Sequence, residues 1–170
     1  VPGGRFVYAG NRQGSIRKPW DPEDSVLVAS TGVIGMQLPI DRIANGVKAM
    51  APKLEGSREA GLEAAKAIMT TDTEKKEAAV EIEIGGKTVT VGGMCKGSGM
   101  IHPNMCTMLG FITSDVDITK ELLQEALSED IKDTYNMVSV DGDTSTNDTV
   151  LLLASGQAGQ SEDHREKRKI

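Results

Sequence analysis

The amino-acid sequence predicts an α/β (α+β) chain, and three observations carry that reading. Apolar and polar residues alternate from Val80 to Val91, the two-residue period of half-buried strands. Apolar residues recur at helical spacing from Ile40 to Met50, from Leu62 to Met69 and from Leu122 to Leu127. Short apolar runs at Val26–Ala29 and Met108–Thr113 have the length of buried strands.

The elements follow in order. Residues 1–24 are rich in Gly, Arg, Pro and Asn and show no period, and Asp21-Pro22-Glu23-Asp24 reads as a turn. Val26–Ala29 is predicted as a buried strand, and the small residues Ser30 to Gly35 as the turn that leaves it. Pro39 opens a helix, because its fixed φ suits the first turn and its missing N–H is not needed there. Ile40, Ile43, Val47 and Met50 share one face of that helix, and Pro52 stops it. Ser57 caps a second helix whose inner face is Leu62, Ala65 and Met69, and Thr70-Thr71-Asp72-Thr73 ends it. A hairpin comes next: Val80, Ile82 and Ile84 alternate with Glu81 and Glu83, Gly85-Gly86 turns, and Val89 and Val91 return. Gly92 to Gly99 is expected as a loop or an irregular strand, and Met108–Thr113 as a strand. Thr119 caps a helix that points Leu122, Leu123, Ala126 and Leu127 inward, and Met137–Val140 is a further strand. Thr149–Ala154 is apolar on all sides, so it is buried, with strand and helix both open. Residues 160–170 are a charged, solvated tail, and the chain has no internal repeat.

Composition narrows the function. A chain of 170 residues is one ordinary domain by length and buries roughly 70% of its unfolded surface. A net charge of −6 with one Trp, two Tyr and two Phe makes a poor nucleic-acid binder. No apolar run approaches the ~20 residues of a membrane span, and the arginines and glycines of the first residues are not a secretory signal. Cys95 and Cys106 lack C-x-x-C spacing, so neither a zinc site nor a disulfide framework is expected. Free thiols fit a reducing cytoplasm, and Cys95 reads as a small buried hydrophobe.

Several motifs fail on inspection. Gly97-Ser98-Gly99 lacks the lysine that follows the glycines of a phosphate-binding loop. Asp141-Gly142-Asp143-Thr144-Ser145 starts like a calcium loop, but Thr146 stands where glycine is required and Leu152 where glutamate is, so it reads as a hydroxyl-rich turn. His102 and His164 are isolated, and no metal site is expected.

The segment from Lys96 to Ile112 is more informative. Lys96-Gly-Ser-Gly-Met-Ile-His-Pro-Asn-Met105, a small residue, then Thr107-Met-Leu resembles the self-cleavage segment of the bifunctional ornithine acetyltransferases, the glutamate N-acetyltransferases of arginine biosynthesis. Three further blocks agree, in the family's order: Ser30-Thr31-Gly32-Val33-Ile34-Gly35, Met69-Thr70-Thr71-Asp72-Thr73, and Asp141 to Thr149. The resemblance covers residues 25–159, an internal piece of a longer family member; residues 1–24 and 160–170 stand outside it. Cys106 departs from the pattern, which has alanine before the nucleophile.

The resemblance implies the layered sheet-and-helix fold of the self-processing ornithine acetyltransferases, here incomplete. It implies cleavage between Cys106 and Thr107 into an α-chain part, 25–106, and a β-chain part, 107–159. Thr107 becomes the nucleophile, carrying acetyl from N2-acetylornithine to glutamate. A free α-amine has a pKa of about 7.7–8.0, so roughly a sixth is unprotonated at pH 7, against roughly 0.04% of an ordinary lysine. The new amine of Thr107 can therefore activate its own hydroxyl without a histidine. Thr31 and Gly32 align with the family's oxyanion hole, and Thr73, Lys96 and Thr107 with its substrate contacts. No cofactor is implied; whether acetyl-CoA serves as a second acetyl donor is left open. The full-length assembly is implied to be two α and two β chains in the cytoplasm. A non-transferring self-processing hydrolase of aminopeptidase type, and a truncated inert piece, are the alternatives. The piece alone is expected to lack acetyl transfer even if it cuts itself.

Overall fold

A computed structural model describes residues 27–32, 35–99, 108–143, 145 and 147–160. Three α-helices and one four-stranded sheet account for most of them. The helices are α1 (Ile40–Met50), α2 (Arg58–Ala67) and α3 (Lys120–Asp133), and the strands are β1 (Lys76–Ile84), β2 (Lys87–Lys96), β3 (Leu109–Ser114) and β4 (Thr149–Ala154). The fold is mixed α/β, as the sequence predicts.

The sheet runs β1-β2-β3-β4. β1 and β2 form the predicted hairpin, closed at Ile84↔Lys87. Gly85 and Gly86 both take positive φ, 56° and 73°, which only glycine adopts without strain and which matches the twist of the flanking strands. β2 then pairs antiparallel with β3, from Val91↔Ser114 to Lys96↔Leu109. β3 and β4 are parallel. Parallel neighbours need a long crossover, and α3 supplies it.

Helix limits follow local chemistry. Pro39 sits just before α1, and a single 3-10 turn, Ala51–Lys53, holds Pro52 and stops it. Ser57 Oγ accepts the Ala60 N–H at 3.1 Å at the start of α2, and Thr119 Oγ1 accepts the Leu122 N–H at 3.3 Å at the start of α3. α2 lies against β2. Ala65 on α2, Val89 on β2 and Leu109 on β3 are the buried apolar residues among those described.

Four sequence expectations are corrected. Gly92 to Lys96 is regular strand, the second half of β2, and not a loop. A Cβ on Gly93 would stand 3.2 Å from the Phe111 carbonyl oxygen, so this glycine is where two strands approach too closely for a side chain. Residues 27–30 form neither strand nor helix, and Leu27 and Val28 are exposed: an apolar run becomes a strand only beside a partner, and none of the described strands lies next to it. Met137–Val140 is no strand either; Tyr135–Met137 is a 3-10 turn, and Met137, Val138 and Val140 are exposed. Ala126 faces outward on α3, while Leu122, Leu123 and Leu127 are half-buried. Thr149–Ala154 resolves as a strand, and the turn at Asp21–Asp24 and the tail at 161–170 lie outside the described residues.

Candidate active site

Three strand ends meet at one corner of the sheet. β2 finishes at Lys96, whose register partner is Leu109, the first residue of β3, and Leu109 in turn is opposite Thr149, the first residue of β4. Met108 is held here by two hydrogen bonds. Its N–H donates to Asp148 Oδ1 at 2.7 Å, and its carbonyl accepts the Thr149 N–H at 3.0 Å. Thr107 and Cys106 lie outside the described residues, as does His102. Met108, the covalent neighbour of Thr107, is thus anchored next to the end of β2.

Lys96 is 3% exposed, and its ammonium donates to Thr70 Oγ1 at 3.2 Å. An enclosed ammonium needs polar partners, and the turn after α2 brings one. Asp72 ties that turn to the strand. Its Oδ1 accepts the Lys76 ammonium at 2.6 Å and the Gly97 N–H at 2.7 Å, and its Oδ2 accepts the Thr70 N–H at 3.3 Å. The hydroxyls of Thr71 and Ser98 meet at 2.6 Å. Burial pushes the Asp72 carboxyl up, but the Lys76 hydrogen bond, the Gly97 and Thr70 N–H groups and the Lys76 charge outweigh it and hold it at about 2.

Of the residues singled out in the sequence, the structure brings Lys96 to the anchored end of β3. Thr73 is exposed just beyond Asp72, and the threonine in contact with Lys96 is Thr70. Thr31 is half-buried and Gly32 exposed, in an irregular segment rather than at a strand end. No described hydrogen bond ties either to the corner. Cys95 is half-buried, and burial pushes its thiol up. Cys95 lines an open groove of about 420 Å³ with Gly93, Ile112 and Tyr135, which does not include Lys96 or Met108. The Asp141 turn hydrogen-bonds itself: Asp143 N–H to Asp141 Oδ1 at 3.3 Å, and Asn147 N–H to Ser145 Oγ at 3.1 Å. Among the described residues no group of three or more His, Cys, Asp or Glu could hold a metal, and no helix is long and apolar enough to cross a membrane.

Sequence reasoning missed Thr70, Asp72 and Asp148 as parts of the corner. Asp72 and Asp148 both lie in the blocks that carry the family resemblance, and that was their one signal.

Comparison with known proteins supports the family resemblance, and the match reaches beyond residues 25–159. The sequence model described as "ArgJ family" matches residues 14–170. The arginine biosynthesis bifunctional protein ArgJ of Symbiobacterium thermophilum is 61% identical over 132 residues, 78% of this chain and 32% of that protein. The protein of the same name from Lactococcus lactis is 56% identical over 139 residues, 82% of this chain and 34% of that protein. The chloroplastic ArgJ of Ostreococcus lucimarinus is 48% identical over 139 residues, covering 82% of this chain and 30% of that protein. The chain therefore spans about a third of the length of the curated relatives it matches. A match that runs through nearly all of the sequence and across the anchored corner makes the chain a member of the ArgJ family.

Proposed function

We propose that this chain carries the self-cleavage centre of an acetyltransferase of arginine biosynthesis, which moves acetyl from N2-acetylornithine to glutamate through Thr107. The supporting observation is the register Lys96↔Leu109: it sets an enclosed ammonium beside the start of the strand that follows Thr107. Thr107 Oγ attacks the Cys106 carbonyl carbon, and the bond from that carbon to the Thr107 nitrogen breaks. The hydroxyl proton passes to the nitrogen. Water then cleaves the ester, leaving a carboxyl on Cys106 and restoring the Thr107 hydroxyl beside a free amine. The amine serves as base for the acetyl exchange. Thr31 and Gly32 offer a hydroxyl and an N–H to the developing oxyanion, a kind of donor typically worth about 2.7–4 kcal/mol. Lys96 pairs with a substrate carboxylate, and Thr73 supplies a further substrate contact. The other half of the exchange partners, including the companion chains and acetyl-CoA as a second donor, belongs to the same proposal.

Incubation with N2-acetylornithine and labelled glutamate tests it. Labelled N-acetylglutamate, formed only when both substrates are present, is the expected product for the whole protein. Release of acetate with no labelled product would favour the self-processing hydrolase instead. The piece alone should transfer little, because orienting two successive substrates accounts for roughly 7–11 kcal/mol of such barriers and an open site admits water.

The Cys106 side chain takes no part. It lies on the departing side of the bond, where no new amine adjoins it. Cys106→Ala should therefore cut as the parent does, within about twofold, as followed by intact mass over time. A folded Cys106→Ala protein that stays whole would transfer the chemistry to the thiol.

A further inference from the structure

Lys96 is fixed at both ends by one carboxylate. Asp72 Oδ1 accepts the Gly97 N–H at 2.7 Å, which sets the peptide that follows Lys96. Asp72 Oδ2 accepts the Thr70 N–H at 3.3 Å, and the hydroxyl of that same Thr70 receives the Lys96 ammonium at 3.2 Å. The Asp72 side chain is fully enclosed, and its ion pair is with Lys76, at 2.6 Å, and not with Lys96. Asp72 thus reaches Lys96 through a peptide and a hydroxyl, while its own charge is matched by a different lysine.

We propose that Asp72 is a positioning residue for substrate binding: it holds the turn after α2 against the end of β2 so that the Lys96 ammonium is already in place when a substrate carboxylate arrives. The inference rests on the reading of Lys96 given above. Asp72 does not compete for the ammonium it positions, because Lys76 takes its charge. A lysine side chain has many rotamers, and holding one of them costs free energy. A lysine held at both backbone and head meets that cost on folding and not on binding, which for one such side chain corresponds to about two- to tenfold in affinity. The gain is present in the bound substrate and is kept in the transition state, so it appears in KM and not in kcat.

The test is a double-substitution cycle in the whole protein. It reads kcat and KM for N2-acetylornithine at a temperature where circular dichroism shows each variant folded. Asp72→Asn keeps the size but offers one acceptor oxygen where two N–H groups need one each. We expect it to raise KM about two- to tenfold with little change in kcat. In a Lys96→Met background it should have no further effect on KM, because nothing is left to position. Thr70→Val, which cuts only the link at the ammonium, should raise KM in the same direction, and Thr70→Ser should return it to the parent value. Asp72→Asn with the parent KM overturns the inference and leaves the reading of Lys96 standing. So does a rise in KM by the same factor with and without Lys96, which makes Asp72 a structural residue only. Should Asp72→Asn not fold, the Thr70 pair decides, and equal KM values for Thr70→Val and the parent overturn the inference. A Lys96→Met protein with the parent KM overturns both.

Discussion

On the proposed reading, Thr107→Ala should leave the chain whole and abolish the acetyl transfer expected of the whole protein. The parent should give two masses meeting between Cys106 and Thr107, with Thr107 as a new N-terminus; the variant should give one. Alanine keeps the backbone and removes the hydroxyl that, on this reading, attacks the preceding carbonyl. Without the cut there is no α-amine either. Nucleophile and base vanish in one substitution, so the effect on transfer is a loss to background and not a partial decrease. Thr107→Ser, which keeps the oxygen, should still cut. Cutting in Thr107→Ala, or a parent cut at another bond, would refute the assignment of Thr107.

The second large effect is on stability. Asp72 is the acceptor for two backbone N–H groups and the partner of Lys76. Asp72→Ala strips the enclosed Gly97 N–H and the half-buried Thr70 N–H of their acceptor, at about 1–3 kcal/mol for each group left unmatched. A total of about 2–6 kcal/mol lowers the unfolding temperature by on the order of 10 °C in a chain of this size. The same carboxylate gives an acid dependence of known sign. Its folded value, about 2, lies below the ordinary 3.8, so its stabilisation is complete above 3.8 and disappears as pH falls toward 2. That gap corresponds to about 2 kcal/mol. The stability advantage of the parent over Asp72→Asn should shrink by about that amount between pH 5 and pH 2 in urea titrations. A constant difference across that range would show that Asp72 acts there only through its shape.

Much of this fold is readable from local pattern, and the exceptions share a cause. The hairpin is legible because Val80, Ile82 and Ile84 alternate with glutamates and Gly85-Gly86 can turn nowhere else. The helices are legible because Pro39, Ser57 and Thr119 mark their starts. The second half of β2 is not, because Gly92-Gly93 looks like a breaker until Phe111 is seen to crowd against it. Val26–Ala29 and Met137–Val140 have strand composition, but composition does not supply a neighbour. The corner follows the same rule. Lys96 is conspicuous in its motif, whereas Asp148 matters through a hydrogen bond to a residue 40 positions earlier. Asp72 likewise joins groups that are distant in sequence. A lone acid in a turn carries no mark of the partner it will meet.

The pairing of β2 with β3 gives the proposed cut an unusual seam. β2 lies before the Cys106–Thr107 bond and β3 after it, yet they are zipped together from Val91↔Ser114 to Lys96↔Leu109. The two products would therefore share one sheet, with the boundary between polypeptides running down its middle. Each rung of that ladder is worth about 0.5–1.5 kcal/mol net, so the pieces remain clasped after the covalent link is gone. Maturation on this plan breaks one bond without dividing the sheet on either side of it. It also imposes an order of events: the sheet must assemble while the chain is continuous, when the partner strand is tethered nearby and no second molecule has to be found.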